Sequence, residues 1–435
     1  MFTSLLNQKT RVKRLFKEGF WVIIGQFLTV IGTIVQIRVL TEYLPPAAYG
    51  ELQLALTISG LVTGTLMASV TPGIARYYSI SAEEGDTSSY LKACKRLMGY
   101  ATLAVLIVGF MLLVMLIFLD MMQWILLSIL VLGFGLFASY SGTLGSIQNA
   151  ARQRILVALH NVADAWLKIA IAVVCISILG NISAAAALGF FFTAVLITIS
   201  QLFFIKKLPS LSEEVKRSEA SEDWGRSMLL FSKPFLIWGL FGWMQQSSSR
   251  WALGLFSTNE NVGFFSVLFQ LGYIPMVMIS SLGLTFITPV LFARVGNAKD
   301  GIRVKSLIQT VFILILISVV LLCIALCIAV FFHEDIFALA AGAKYKTQSH
   351  YLPYMVFAGG LFAISQVIAT IPTSLNVPSK LLTASIGSSL VGIIGAFTGA
   401  YIYSFEGVVF SLIIHSASYF LLCYLAVKKI INNNL

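Results

Sequence analysis

The sequence predicts an all-α, polytopic membrane protein with about twelve transmembrane helices in two six-helix halves (6+6) around a central cavity. Three observations lead there. Of 435 residues, 58 % are hydrophobic and only 11 % charged, against roughly 25 % charged in a soluble domain. Apolar runs of about 20 residues, long enough to cross a hydrocarbon core, recur along the whole chain. Basic residues are confined almost entirely to alternate loops.

The apolar runs divide into spans at 19–41, 49–72, 98–119, 122–147, 155–180, 182–204, 229–252, 262–288, 306–331, 351–372, 381–402 and 406–427. Backbone groups in lipid must be satisfied within the segment, so runs of this length are helices. Barrel strands would alternate polar and apolar residues in segments of roughly ten, and no such alternation occurs. No small-residue cleavage site follows the first run, which is therefore expected to be a retained span and not a signal peptide.

The net charge of +11 would suit nucleic acid, but its placement points to a membrane. Lys9, Arg11, Lys13, Arg14 and Lys17 precede the first span, and basic clusters fill every second loop after it. The intervening loops "LDMMQ", "LGNIS" and "YSFEG" carry no basic residue; the exception is the connection holding Lys344 and Lys346. Such alternation is the positive-inside pattern, and it predicts a multi-pass membrane protein with both termini in the cytoplasm. Contact with anionic membrane lipids fits the same charges, and nucleic acid is not an expected partner.

The longest polar stretch, "KKLPSLSEEVKRSEASEDWGRS", divides the spans six and six. The expected organisation is an N-terminal half at 1–205, a cytoplasmic linker at 206–227 and a C-terminal half at 228–435. A weak repeat supports it. "RVLTEYLPPAAYG", from Arg38 to Gly50, is echoed by "RWALGLFSTNENVG", from Arg250 to Gly263, and "VTPGIAR" by "ITPVLFAR" further on. Parallel six-span halves are a transporter arrangement. Pro234 and Pro275 fall inside spans seven and eight, where the missing N–H kinks a helix. Gly60 with Gly64, and Gly395 with Gly399, have the spacing of close helix approach.

Charge inside a span is costly and usually faces a partner or a cavity. In span five, His160, Asp164 and Lys168 recur every fourth residue and form one stripe. Asp164 can pair with Lys168, which makes a structural lock between helices; alternatively the stripe faces a water-filled cavity and offers Lys168 to a substrate. In span seven, Gly239, Gly242, Gln246, Ser249 and Arg250 fall within about 100° on a helical wheel. Span one aligns Gln26, Thr29, Thr33 and Gln36, with Arg38 roughly 160° from Gln36. His415 in span twelve is an isolated interior histidine. The cysteines lie mostly within spans, and Cys323 with Cys327 lacks the partners of a metal site. No phosphate-binding glycine loop, HExxH motif or paired catalytic carboxylates occur, so neither enzyme activity nor a cofactor or metal is expected.

"RVLTEYLPPAAYGELQLALTISGLV", "IQNAARQRILVALHNVADAWLKI", "SSSRWALGLFSTNENVGFFSVLFQLGYIP" and "AGAKYKTQSHYLPYMVFAGG" resemble, in order, segments of the bacterial polysaccharide (O-antigen type) flippases of the multidrug/oligosaccharidyl-lipid/polysaccharide exporter superfamily. The family's acid-Arg-aromatic triplet matches at Arg250 and Trp251, with Ser249 in place of the acid. The resemblance implies alternating-access movement of an undecaprenyl-diphosphate-linked oligosaccharide from the cytoplasmic to the outer leaflet, beside a polymerase and other polysaccharide-assembly proteins. Lys168 and Arg250 are the expected substrate contacts, with Arg38 a weaker third and Asp164, Gln246 and His160 completing the set. A cation-coupled multidrug exporter of the same superfamily would instead favour acidic cavity residues. A polymerase or glycosyltransferase would carry a long outer loop or a catalytic domain.

Overall fold

A computed structural model describes residues 2–205, 223–295, 301–375, 377 and 379–434; most of the expected linker, 206–222, lies outside them. Every regular element among the described residues is helical. In chain order these are α1 (Phe2–Tyr43), α2 (Pro46–Leu61), α3 (Thr71–Glu83), α4 (Thr87–Phe118), α5 (Ile125–Ala150), α6 (Arg154–Leu179) and α7 (Ser183–Ile205). After the linker come α8 (Trp224–Phe256), α9 (Asn259–Leu268), α10 (Ile274–Val295), α11 (Gly301–Ala340), α12 (Leu352–Ile368), α13 (Thr370–Ser374) and α14 (Ser379–Asn434).

Among the described residues nine helices are long and apolar enough to cross a membrane by themselves. Two bent pairs supply further spans: Pro46–Leu66 with Thr71–Glu83, at 41°, and Trp224–Lys233 with Phe235–Phe256, at 42°. Helix α14 is broken at Ser404, where φ is 50° and ψ −123°, so it holds the expected spans eleven and twelve. The twelve expected spans are thereby built from helices, with an irregular turn at 67–70 inside the second.

The breaks have local causes. The second bend falls at Pro234, which cannot donate to the preceding turn. Spans two and eight each contain a π-helical turn, Val62–Leu66 and Phe269–Tyr273, and Pro275 follows the second of these. The repeated TP motifs differ in outcome: Thr71 opens a new helix after an irregular turn, whereas Thr288 lies within the continuous α10.

The chain forms two compact units: Met1–Tyr43 with Ala55–Leu240, and Leu44–Leu54 with Phe241–Leu435. Within the first, α1 packs on α6 through a small-residue seam. A Cβ on Gly25 would lie 2.9 Å from that of Ala158, and one on Gly32 3.1 Å from that of Ala165. Both pairs are seven residues apart, two helical turns, so small residues recur on the facing stripe and let the backbones approach. The indole of Trp166 then donates to the Leu28 carbonyl at 3.3 Å.

At the other end of the first unit, α3 packs on the start of α8. The Arg76 guanidinium lies 5.0 Å from the Phe231 ring centroid. Trp224 is buried and its indole donates to Asp86 Oδ2 at 2.9 Å. This carboxyl sits in a loop outside the spans. Burial pushes its pKa up, but hydrogen bonds from Ser89 and Trp224, with Lys92 nearby, more than reverse that and hold it below 3.8.

Candidate functional site

In the first unit, the stripe on α6 meets neighbouring helices. Lys168 Nζ donates to Asp164 Oδ2 at 2.8 Å and lies 5.4 Å and 5.9 Å from the ring centroids of Phe134 and Phe190. The lysine side chain is only 16 % exposed. Its charge is met by a carboxylate on its own helix and by ring faces from α5 and α7, a geometry that offsets desolvation from several sides.

His160 is buried, and both ring nitrogens are satisfied. Nδ1 donates to the Leu156 carbonyl at 2.9 Å, and Nε2 shares a hydrogen bond with the Ser200 hydroxyl at 3.0 Å. Its ring stands edge-on to Phe204 at 5.7 Å. The three residues share one face, as their spacing requires, and that face packs against α5 and α7. The His160–Ser200 contact joins α6 to α7, and the Lys168 ammonium reaches rings on both α5 and α7.

Arg38 projects away from the polar face of α1 and pairs with Glu42 one turn later, at 3.2 Å. Of that face, Gln26 and Thr29 line a recess with Asn149, Arg154 and Asn161. Arg154 and the two asparagines come from α5 and α6; sequence alone read Arg154 only as a topogenic loop charge.

The second unit builds its polar centre around Arg250. The guanidinium Nε donates to Ser266 Oγ at 3.1 Å, and its carbon lies 5.4 Å from the Phe269 centroid. Phe265, Phe269 and Tyr273, each four residues on, stack in a column with centroids 6.0 Å and 4.7 Å apart. Among the described residues Arg250 has no carboxylate within salt-bridge distance, and Ser249, in the position of the expected acid, is buried. Gln246, one turn earlier on α8, is exposed.

Beside it runs a buried network that sequence reasoning missed. Gln270 Nε2 lies 3.2 Å from both Gln53 Oε1 and the Tyr49 hydroxyl. Tyr345 packs edge-on to Tyr49 at 5.9 Å and to Phe264 at 5.5 Å. The signal was present in "LQLAL" and "LFQLGY": a glutamine inside each of two equivalent apolar runs, costly to bury unless paired.

The exceptional loop basics also find a setting. Lys346 Nζ lies 2.8 Å from Glu334 Oε2, so that connection carries a neutralised pair. In span twelve, His415 Nδ1 donates to the Ser388 carbonyl at 2.9 Å, and the ring stacks on Phe362 at 6.0 Å.

The fold is shared with solved transporters. The lipid II flippase MurJ in an inward closed conformation aligns with a TM-score of 0.70 at 13 % identity, covering 94 % of this chain and 87 % of that one. An inward-facing multidrug resistance MATE family transporter of the MOP superfamily aligns at 0.67 and 14 % identity, covering 94 % and 95 %. A MOP superfamily transporter from Pyrococcus furiosus, described as having a binding pocket of reversed polarity, aligns at 0.55 and 16 % identity, covering 96 % and 95 %. No curated protein sequence matches the chain. The sequence pattern of one family, described as polysaccharide biosynthesis protein, matches residues 15–294. Helical spans, a MOP transporter fold and a match over most of the length agree: the chain belongs to the polysaccharide biosynthesis protein family.

Proposed function

We propose that this protein flips an anionic, undecaprenyl-diphosphate-linked oligosaccharide from the cytoplasmic to the outer leaflet of a bacterial inner membrane, by alternating access and without enzymatic chemistry. The observation that carries the reading is Arg250. It is a guanidinium inside a spanning helix, held by a hydroxyl and a ring face and by no carboxylate among the described residues. An arginine so placed retains N–H donors for a phosphate oxygen. Gln246, exposed one turn away, extends the same face.

Family membership supports a polysaccharide-linked substrate. A neighbour of the same fold is described as a lipid II flippase, and a lipid-linked diphosphate is the chemistry a desolvated cation would accept. An interior-negative potential favours outward movement of an anion by about 2.3 kcal/mol per charge per 100 mV. In this reading Lys168 contacts substrate only if the anion displaces Asp164, Arg38 only if it displaces Glu42, and His160 acts through packing. The proposed halves are 1–205 and 228–435 joined by the 206–227 linker, with both termini cytoplasmic.

The cation-coupled multidrug exporter is favoured by the MATE likeness and disfavoured by Asp164, whose carboxylate already engages Lys168 at 2.8 Å. The deciding experiment is deletion of the gene followed by analysis of lipid-linked intermediates in each leaflet. Accumulation of a complete lipid-linked repeat unit on the cytoplasmic side is expected, with rescue by the intact gene. An incomplete repeat unit would identify a transferase and overturn the proposal.

A further inference from the structure

The recess in the first unit has no role in the reading above. It lies where α1, the end of α5 and the start of α6 meet, with a volume of about 140 Å³. Gly25 and Ala158 form part of its wall, and their close contact holds the two helices at a fixed separation. Its polar lining is Gln26, Thr29, Asn149, Arg154 and Asn161. Thr29 donates to the Gly25 carbonyl at 2.8 Å. The side chains of the other four form no hydrogen bond or ion pair among the described residues.

That combination is selective. Three carboxamides present N–H donors and carbonyl acceptors together, as sugar hydroxyls require, while one guanidinium presents a fork of donors that suits phosphate. A plain anion site would need cations without the amides. Depth agrees with the chemistry. Arg154 is the first residue of α6, so it lies near the end of the spanning segment, at the level of lipid headgroups. At 1.5 Å per residue it is roughly 21 Å along the helix axis from Lys168. By the loop charges this is the cytoplasmic end. The neighbouring Arg152 is equally basic and does not line the recess.

We propose that this recess binds the glycosyl phosphate head of the lipid-linked substrate, with Arg154 on phosphate and Gln26, Asn149 and Asn161 on the adjoining sugar ring. It is a loading site, separate from Arg250, and it rests on the flippase reading. At about 140 Å³ it is too small to enclose a whole repeat unit.

The test is calorimetric binding of farnesyl diphosphoryl-glucose, and of farnesyl diphosphate without the sugar, to the full chain in detergent. Arg154→Gln is expected to weaken both probes at least tenfold. Gln26→Ala with Asn161→Ala is expected to weaken the glycosylated probe about tenfold and the bare one less than twofold. Lys95→Gln, an exposed basic position elsewhere, is expected to bind as the parent does. Asn161 and Arg154 are exposed and Gln26 half-buried, so the variants should fold. If the parent chain binds and the variants bind equally well, the recess is overturned and the flippase reading stands. Equal loss of both probes in the Gln26/Asn161 variant overturns the sugar assignment. Absence of binding by the parent chain overturns the flippase reading and this site with it.

Discussion

Gly50 and Gly263 meet reciprocally at the starts of α2 and α9. A Cβ on Gly50 would overlap the Asn259 carbonyl, four residues before Gly263, and one on Gly263 would overlap the Pro46 carbonyl, four residues before Gly50. These are the closing glycines of the two sequence repeats. The repeat is therefore a physical contact, in which equivalent helix starts lie backbone to backbone with no room for a side chain.

Gly50→Ala or Gly263→Ala should accordingly destabilise the protein by about 1–3 kcal/mol, because backbone and not a flexible side-chain end must shift. Gly142→Ala, where a Cβ would meet nothing within 4 Å, should be neutral. Thermal unfolding of the three variants in one detergent checks the order.

The Asp164–Lys168 pair predicts strong non-additivity. Lys168→Met alone strands a half-buried carboxylate, and Asp164→Asn alone strands an ammonium between two rings. The double variant should recover about 1–2 kcal/mol relative to the sum of the singles. Wild-type flipping by a stable double variant would remove both residues from the substrate path, and additive singles would show that the pair is not a lock.

Asp86 gives a pH dependence with a definite sign. Its folded carboxyl lies below the ordinary 3.8, so the native state binds protons less readily than the unfolded chain. The stabilisation is present above pH 3.8 and is lost as pH falls through the lower folded value. Asp86→Asn should flatten stability over that acid range, and loss of the carboxylate partner should alter the emission of Trp224. An acid transition unchanged in Asp86→Asn would show that this carboxyl plays no part in it.

Tyr345 is fully buried, and its hydroxyl has no hydrogen-bond partner among the described residues. Tyr345→Phe keeps both edge-on aromatic contacts and removes an unsatisfied oxygen. It should be neutral or stabilising by up to about 1 kcal/mol. A clear loss of stability would mean the hydroxyl has a bound partner, such as water.

The sequence by itself determined the class of molecule, the positions of the spans, the two-fold repeat and the resemblance to a polysaccharide flippase. Hydropathy and loop charge are local properties, readable along one dimension, and the cost of exposing backbone to lipid leaves helices as their outcome. Helical spacing also placed His160, Asp164 and Lys168 on one face. Only tertiary structure decided what that face meets, because Ser200, Phe134 and Phe190 belong to other helices. The same holds for Arg250 and Ser266, sixteen residues apart across a turn, and for Gln53 and Gln270, separated by 217 residues and joined at 3.2 Å. Arg154 shows the limit most plainly. Its charge was legible as topology, but the amides beside it come from α1 and from further along α5 and α6, and only packing of those helices around the Gly25–Ala158 contact gathers them into one recess.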